Sequence, residues 1–176
     1  MPPESQALEE LISADAIHRR VCALGAAIRA DHGDDPITLV GVLKGSFLFL
    51  ADLARAIPGE VRVEFLGVAS YHGGTSSSGA VQITHDLRAD IADASVVVVE
   101  DIVDTGLTVE FLRRTLTIRG PRRLSVATLL DKPDRRRVDV RPEYVGFTIP
   151  DAFVVGYGLD LAERFRNLPY VAVYRP

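Results

Sequence analysis

The sequence contains one cysteine, one methionine and no tryptophan. A single cysteine has no intrachain partner, so a disulfide framework is excluded and a reducing compartment is favoured. Cys22 follows Val21 in an apolar helical pattern, which predicts that its thiol fills the core and is not a nucleophile. The four histidines show no metal-ligand spacing, so neither a zinc nor an iron site is predicted.

Long apolar runs, a leader segment and an excess of positive charge are also missing. No run approaches the roughly 20 residues that a membrane-spanning helix needs. Residues 1–5 contain neither the basic region nor the apolar stretch of a signal peptide, so we expect a cytoplasmic protein. The net charge of −4 argues against a nucleic-acid-binding protein. The basic run at residues 135–137 follows Asp131 and Asp134, and we interpret it as a solvated loop.

Apolar periodicity predicts an alternation of strands and helices within one domain of 176 residues. Helices are expected over residues 17–28, with Ser13 as the N-cap, and over residues 46–57 and 107–119. Strands are expected over residues 37–43, 61–65, 81–87, 96–99 and 124–130. The valines at 96–99 are typical of a central parallel strand that is buried on both faces. The fold class is therefore α/β, with a mostly parallel central sheet flanked by helices.

Residues 72–80 have the sequence His-Gly-Gly-Thr-Ser-Ser-Ser-Gly-Ala and cannot fill a core, because they are small or polar. They lie between two predicted strands, which predicts a long hairpin with a mobile loop. Such a loop is either a lid over a site or a hairpin tip without a catalytic role.

The turn after the predicted central strand, residues 100–108, has the sequence Glu-Asp-Ile-Val-Asp-Thr-Gly-Leu-Thr. In parallel sheets, ligands bind beyond the carboxyl ends of the strands. The three carboxylates of this turn repel one another unless a cation or hydrogen-bond donors occupy the site. Thr105, Gly106 and Thr108 stand at the start of a predicted helix, where N–H groups and the helix dipole suit a phosphate. The turn therefore predicts acids for sugar hydroxyls or Mg²⁺, followed by a cradle for a monophosphate.

Other nucleotide-site motifs do not fit this turn. Neither G-x-G-x-x-G nor G-x-x-x-x-G-K-[ST] is present in it. An aspartyl-phosphate phosphatase needs two aspartates separated by one residue, whereas Asp101 and Asp104 are separated by two. A polar strand–helix loop without a function remains the alternative.

Four apolar residues followed by this turn resemble the phosphoribosyl-pyrophosphate motif of the type I phosphoribosyltransferases, in particular the hypoxanthine-guanine branch. The resemblance extends from the turn at Leu43, Lys44 and Gly45 to Arg166. It implies one phosphoribosyltransferase domain over residues 1–176, a flexible hairpin lid at about residues 70–81, and a small hood. The hood would be built from the N-terminal and C-terminal segments.

The resemblance also implies a role for each residue of the motif. Glu100 and Asp101 would hold the ribose hydroxyls, directly or through Mg²⁺, and Asp160 would ligate a Mg²⁺ bound to pyrophosphate. Asp104 would be the general base or acid at N7 of the purine, a task that suits a carboxylate. The 5′-phosphate would be bound by Thr105, Gly106 and Thr108, with the backbone of Asp104 and Leu107. Leu107 departs from members of the family that have a basic residue there, which implies weaker phosphate affinity.

Residues outside the motif match the family too. Lys44 and Gly45 match the pyrophosphate loop, where a cis peptide before the lysine is typical, and Arg166 would contact the pyrophosphate. Ser70 and Tyr71 match the start of the lid.

The base-binding segment runs from Phe153 to Asp160, and Asp160 is expected at a strand end. In this segment Phe153 would stack on the purine and the Val154 backbone would read its edge. Ile102 would pack on the opposite face of the purine, and Lys132 would contact the exocyclic oxygen of a 6-oxopurine.

The implied activity is Mg²⁺-dependent transfer of a phosphoribosyl group from phosphoribosyl pyrophosphate to hypoxanthine or guanine, in purine salvage. The family implies a homodimer or a homotetramer, and no nucleic-acid or membrane partner. A phosphoribosyltransferase for xanthine or a pyrimidine, and a non-catalytic sensor of phosphoribosyl pyrophosphate, are the alternatives. Asp104, the lid and Lys132 favour the enzyme, because a sensor needs none of them.

Overall fold

The computed structural model describes residues 7–70 and 81–175. Its strands are β1 (Ala7–Ile12), β2 (Ile37–Leu43), β3 (Val61–Ser70), β4 (Val81–His85), β5 (Ser95–Val103), β6 (Arg123–Asp131), β7 (Tyr144–Thr148), β8 (Val154–Val155) and β9 (Val171–Arg175). Its helices are α1 (Ala14–His32), α2 (Phe47–Ala56) and α3 (Leu107–Thr117), with a short 3₁₀ turn at Pro133–Arg135.

The main sheet has six strands in the order β4-β3-β2-β5-β6-β7. All neighbouring pairs are parallel except β3 and β4, which form the antiparallel hairpin that the sequence predicts. Strand β5 is central, and its alternate valines serve the two faces: Val97 and Val99 enter one core cluster, and Val96 and Val98 enter the other. The predicted α/β fold with a mostly parallel sheet is confirmed.

Helices cover both faces of this sheet because each presents an apolar stripe to it. The larger core cluster contains Ile17 and Ile28 of α1 and Leu53 of α2, whereas Leu112 of α3 belongs to the cluster on the opposite face. The predicted N-cap of α1 is confirmed, since the Ser13 hydroxyl accepts a hydrogen bond from the Ala16 N–H at 3.2 Å.

A second, three-stranded antiparallel sheet is built from both ends of the described chain, in the order β1-β9-β8. Its residues Val154 and Val171 pack into the larger core cluster, which fixes this sheet to the α1 and α2 side. The strand β8 follows directly on Phe153, so the small sheet carries the segment that the resemblance would assign to the base.

Several elements differ from their sequence-based prediction. Cys22 is exposed and does not fill the core, because its neighbour Val21 takes the inward position on α1. Strands β3 and β5 are longer than expected, since β5 continues to Val103 through the first residues of the predicted turn, and β1, β7 and β9 were not predicted. The predicted mobile loop falls on residues 71–80, which lie outside the described residues.

Candidate active site

The loop after β2, the end of β5 and the start of α3 meet the segment after β8 at one edge of the main sheet. Together they enclose a cavity of about 310 Å³. Its walls include eight of the residues that the sequence singles out: Lys44, Gly45, Glu100, Asp101, Ile102, Thr108, Asp160 and Arg166. Parallel strands bring these distant residues together, because their carboxyl ends lie at the same edge of the sheet.

Two adjacent acids, Glu100 and Asp101, form the floor of this cavity. Burial raises the pKa of Glu100 well above its ordinary value, and the neighbouring charge of Asp101 raises it further. Burial also raises the pKa of Asp101, although the Ile102 N–H at 2.9 Å and the positive charge of Arg166 oppose the effect. A bound cation would relieve this repulsion and hold both carboxyls ionised.

Glycines allow the loops around these acids to approach one another. A Cβ on Gly45 would collide with the Asp101 carboxylate, and one on Gly158 would collide with the Gly45 carbonyl oxygen. Gly158 also has a positive φ of 100°, which favours glycine. A Cβ on Gly156 would likewise collide with the Tyr170 carbonyl oxygen, and the Leu43–Lys44 peptide is cis, as the resemblance implies.

The cationic wall of the cavity is formed by Lys44 and Arg166, which share one carboxylate. Glu163 accepts from the Lys44 ammonium at 3.0 Å and from the Arg166 guanidinium at 3.1 Å. Arg166 also pairs with Asp160 at 2.9 Å and donates to the Gly158 carbonyl at 2.7 Å. The sequence did not identify Glu163. Its position three residues before Arg166 was the available signal.

A smaller cavity of about 80 Å³ lies at the start of α3 and is lined by residues of the 102–109 segment. Gly106 adopts the left-handed conformation there, with φ 85°, and accepts through its carbonyl from the Glu110 N–H at 2.9 Å. The N–H groups of Thr105, Gly106 and Thr108 have no acceptor within the described part of the chain. Unpaired N–H groups at a helix N-terminus are suited to an anion.

A chain of charges on the far side of this loop links Asp104 to Lys132. The Arg135 guanidinium donates to Asp104 at 2.8 Å and to Asp151 at 3.3 Å. Asp151 in turn lies 3.8 Å from the ammonium of the buried Lys132, which donates to the Ala152 carbonyl at 2.6 Å.

Phe153 and Val154 stand next to this chain of charges. The Phe153 ring is 53% exposed and packs edge-on to Tyr174, with 6.2 Å between the ring centres. The Phe153 carbonyl accepts from the Tyr174 N–H at 2.9 Å. Because hydrogen-bonded and non-bonded pairs alternate in antiparallel sheets, the N–H and C=O of Val154 point away from β9.

Two sequence-based expectations for the site are wrong, and two others find no support in the described residues. Asp160 does not end a strand, because β8 stops at Val155 and tight turns follow. The run 135–137 is not a solvated loop throughout, since Arg136 is largely buried against Asp131. Leu107 begins α3 but lines neither cavity. Of the lid pair, Ser70 is described only as the last residue of β3, and Tyr71 lies outside the described residues.

The acids present suit a magnesium ion better than a transition metal. Within residues 7–70 and 81–175, no group of three or more histidine, cysteine or acidic side chains could hold a metal ion by itself. Mg²⁺ usually takes one or two carboxylates, several waters and the phosphates of a substrate. The adjacent Glu100 and Asp101 provide that set of protein oxygens. No helix of the described chain has the length and hydropathy to cross a membrane.

Comparison with known proteins places these features in one family. The model of the phosphoribosyl transferase domain family matches residues 8–162. A hypoxanthine-guanine phosphoribosyltransferase of Staphylococcus epidermidis is 47% identical, covering 94% of this chain and 92% of the relative. The crystal structure of a hypoxanthine-guanine phosphoribosyltransferase from Bacillus anthracis is similar with a TM-score of 0.91 at 44% identity, covering 95% and 98% of the two chains. That of a hypoxanthine phosphoribosyltransferase from Staphylococcus aureus also reaches 0.91 at 44% identity, covering 96% and 91%.

Proposed function

Because the chain belongs to the phosphoribosyl transferase domain family, we propose that it is a hypoxanthine-guanine phosphoribosyltransferase of purine salvage. It transfers the phosphoribosyl group of phosphoribosyl pyrophosphate to hypoxanthine or guanine, giving IMP or GMP and pyrophosphate. One observation carries the proposal: the acid-floored cavity and the cavity at the start of α3 share Ile102 and Thr108 as walls. A sugar with a phosphate at one end and a pyrophosphate at the other needs two such adjacent sites.

The phosphate groups have separate binding residues in this proposal. The 5′-phosphate takes the N–H groups and hydroxyls of Thr105 and Thr108, with the N–H of Gly106, at the start of α3. The pyrophosphate contacts Lys44 and Arg166, so it replaces the Glu163 carboxylate as their anionic partner.

The site residues also fit a divalent cation. Glu100 and Asp101 would hold Mg²⁺ at the ribose, and Asp160 would hold Mg²⁺ at the pyrophosphate. When bound, Mg²⁺ would neutralise the negative charge of the leaving pyrophosphate. Glu100 and Asp101 also accept hydrogen bonds from ribose hydroxyls and orient C1 toward the base.

The purine binds between the end of β5 and the segment before β8. Phe153 has an exposed ring for stacking, and Ile102 packs on the other face of the base. The outward-pointing backbone of Val154 reads the purine edge, while the Lys132 ammonium contacts the exocyclic oxygen. An adenine amino group would place a donor against this ammonium, so a 6-oxopurine is preferred.

Asp104 handles the proton of the reaction. As N9 bonds to C1 and pyrophosphate leaves with the bonding electron pair, the Asp104 carboxylate accepts the proton of N7. The Arg135 Nε uses the same carboxylate at 2.8 Å, so the purine N7 competes with Arg135 for it.

The decisive experiment is steady-state turnover with phosphoribosyl pyrophosphate and Mg²⁺, offering hypoxanthine, guanine, xanthine, adenine and uracil separately. We expect turnover of hypoxanthine and guanine, and a loss of about 10²–10⁴-fold in kcat for Asp104→Asn. Asp134 is an exposed aspartate in the 3₁₀ turn after β6. Asp134→Asn is therefore the matched control and should keep the full kcat. Binding of phosphoribosyl pyrophosphate without turnover of any base would leave the sensor as the function.

We also propose that two copies of the chain associate through an apolar face of the main sheet. Val63 and Phe65 share one face of β3 and are 42% and 40% exposed, and Phe47 at the start of α2 is 39% exposed. Light scattering should give a dimer or tetramer that Phe65→Glu dissociates, whereas Ile118→Glu, at an 82% exposed position after α3, should not. A monomeric wild type would contradict this assembly.

The hood and lid remain part of this proposal. The three-stranded sheet carries Phe153 at its edge, which supports a hood that closes the base side of the site. The lid at about residues 70–81 and the cytoplasmic location stay predictions of the sequence.

A further inference from the structure

The loop between β5 and α3 is tied from behind by residues 132–137, of which only Lys132 takes part in the substrate contacts proposed above. The Val103 carbonyl accepts a hydrogen bond from the Lys132 N–H at 2.9 Å. Two residues further on, the Thr105 carbonyl accepts one from the Arg137 N–H, also at 2.9 Å. Both ties use backbone atoms, so they depend on the course of residues 132–137 and not on side-chain identity.

One side chain, that of Arg136, completes the set of ties. Its Nη1 donates to the Asp104 carbonyl at 2.7 Å and to the Val103 carbonyl at 3.2 Å. Its Nη2 pairs with the Asp131 carboxylate. The two side chains are only 15% and 12% exposed, so solvent competes little with these charge-assisted bonds.

The stem of Arg136 also supports the loop by direct packing. A Cβ built on Gly106 would lie 2.9 Å from the Arg136 Cδ and 3.1 Å from Cγ2 of Val138. Gly106 therefore rests on these two side chains where α3 begins. The position of the loop relative to β6 therefore depends on the Arg136 side chain as well as on the backbone hydrogen bonds of Val103 and Thr105.

The direction of these ties decides which way the loop's N–H groups face. In a trans peptide, the C=O and the N–H of the same unit point in opposite directions. The tethered carbonyls of residues 103–105 face residues 132–137, so the N–H groups of residues 104–106 face the opposite side. Residues 104–106 also line the cavity of about 80 Å³ at the start of α3.

We propose that Arg136, held in place by Asp131, is a positioning residue that preforms the phosphate cradle of residues 104–108. The inference rests on the proposed transferase function and names a residue for it that makes no substrate contact. A cradle whose dipoles are already oriented binds an anion without the cost of ordering the loop. Loss of Arg136 should therefore weaken binding of the 5′-phosphate and leave binding of the purine intact.

Arg136→Met in the full chain separates these two effects. We expect the KM for phosphoribosyl pyrophosphate and the calorimetric Kd of ribose 5-phosphate to rise roughly tenfold or more, the value of one or two charged hydrogen bonds. The KM for hypoxanthine at saturating phosphoribosyl pyrophosphate should stay within about twofold, because that group is bound elsewhere. Arg141→Met is the matched control, since the exposed Arg141 lines the same 520 Å³ cavity behind the loop as Arg136.

Two further variants separate positioning from misfolding. Arg136→Met alone leaves the Asp131 carboxylate buried without its partner, which destabilises the fold. The double variant Asp131→Asn with Arg136→Met removes both charges and should show the same rise in the ribose 5-phosphate Kd. Arg136→Ala opens space beside the 520 Å³ cavity, so millimolar methylguanidinium should restore part of the lost affinity.

The outcomes distinguish the inference from the function on which it rests. Unchanged ribose 5-phosphate binding in the Arg136 variants, with a wild type that turns over, overturns the positioning role and leaves the transferase intact. Equal losses for hypoxanthine and phosphoribosyl pyrophosphate also overturn it, because they indicate a general structural role. A wild type that binds ribose 5-phosphate but turns over no base refutes the transferase, while the variants still test the cradle.

Discussion

Single side chains in this protein pair with groups that the proposed reaction needs for its substrate. Glu163 joins Lys44 to Arg166, and Arg135 joins Asp104 to Asp151. Glu163 has the negative charge that pyrophosphate would bring, and Arg135 donates a hydrogen bond to Asp104 as the purine N7–H would. The Lys44 and Arg166 contacts hold the pKa of Glu163 below its ordinary value, so the carboxylate is ionised at neutral pH.

Removing the charge of Glu163 should improve binding of pyrophosphate. Glu163→Gln leaves Lys44 and Arg166 without an anionic competitor, and we expect the calorimetric Kd of pyrophosphate to fall by up to about fivefold, as for exposed ion pairs. The gain should shrink at high salt, because exposed charges are screened. Glu60→Gln removes an exposed glutamate that pairs with Arg62 and serves as the control. Weaker pyrophosphate binding in Glu163→Gln would instead mean that Glu163 holds the two cations in place.

At the scale of elements, the site depends on how closely the loop after β2 and the segment after β8 approach one another. Gly158 makes that approach possible, because its backbone lies against the Gly45 carbonyl. Gly45 in turn lies against the Asp101 carboxylate. The segment after β8, the loop after β2 and the end of β5 are therefore stacked, so a displacement of the segment after β8 would move Gly45 against the acidic floor.

Gly158→Ala should displace this stack. The added methyl group collides with the Gly45 carbonyl oxygen, and its cost adds to that of a positive φ. We expect the KM for phosphoribosyl pyrophosphate to rise about tenfold and the free energy of unfolding to fall by about 2–4 kcal/mol. Gly120→Ala, with φ 72° and open space around its Cβ, isolates the cost of the backbone conformation. Equal changes in KM and in the free energy of unfolding for the two variants would contradict the role of the close approach.

At the scale of the whole molecule, one buried titratable group links α1 to the central strand. His32 donates to or accepts from the Ser95 hydroxyl at 2.8 Å. Burial lowers the pKa of His32, and Arg123 and Arg29 lower it further, whereas Asp31 and Asp35 oppose the effect. The folded protein therefore holds this imidazole neutral at a pH where an unfolded chain would protonate it.

This shift makes stability depend on pH in a defined window. Because the unfolded chain binds the proton more readily, stability falls as pH drops below the unfolded pKa of about 6.5, by at most about 1.4 kcal/mol per unit. The loss is complete below the folded pKa. The free energy of unfolding, measured with urea, should differ less between pH 7.5 and pH 5.5 for His32→Gln than for wild type. The exposed His18→Gln is the control, and an unchanged difference in His32→Gln would contradict the role of His32.

The sequence by itself determined the central strand, the α/β class and the order of the functional segments. The valines of β5 are apolar on both faces, and local apolar periodicity depends only on neighbouring residues. The tertiary structure alone decided which charges meet, as with Lys44 and Glu163, which are 119 positions apart. It also decided that Cys22 faces outward and that Arg136 turns inward to the loop after β5. Such contacts form only when parallel strands align their carboxyl ends, because no local pattern encodes the distance between two loops.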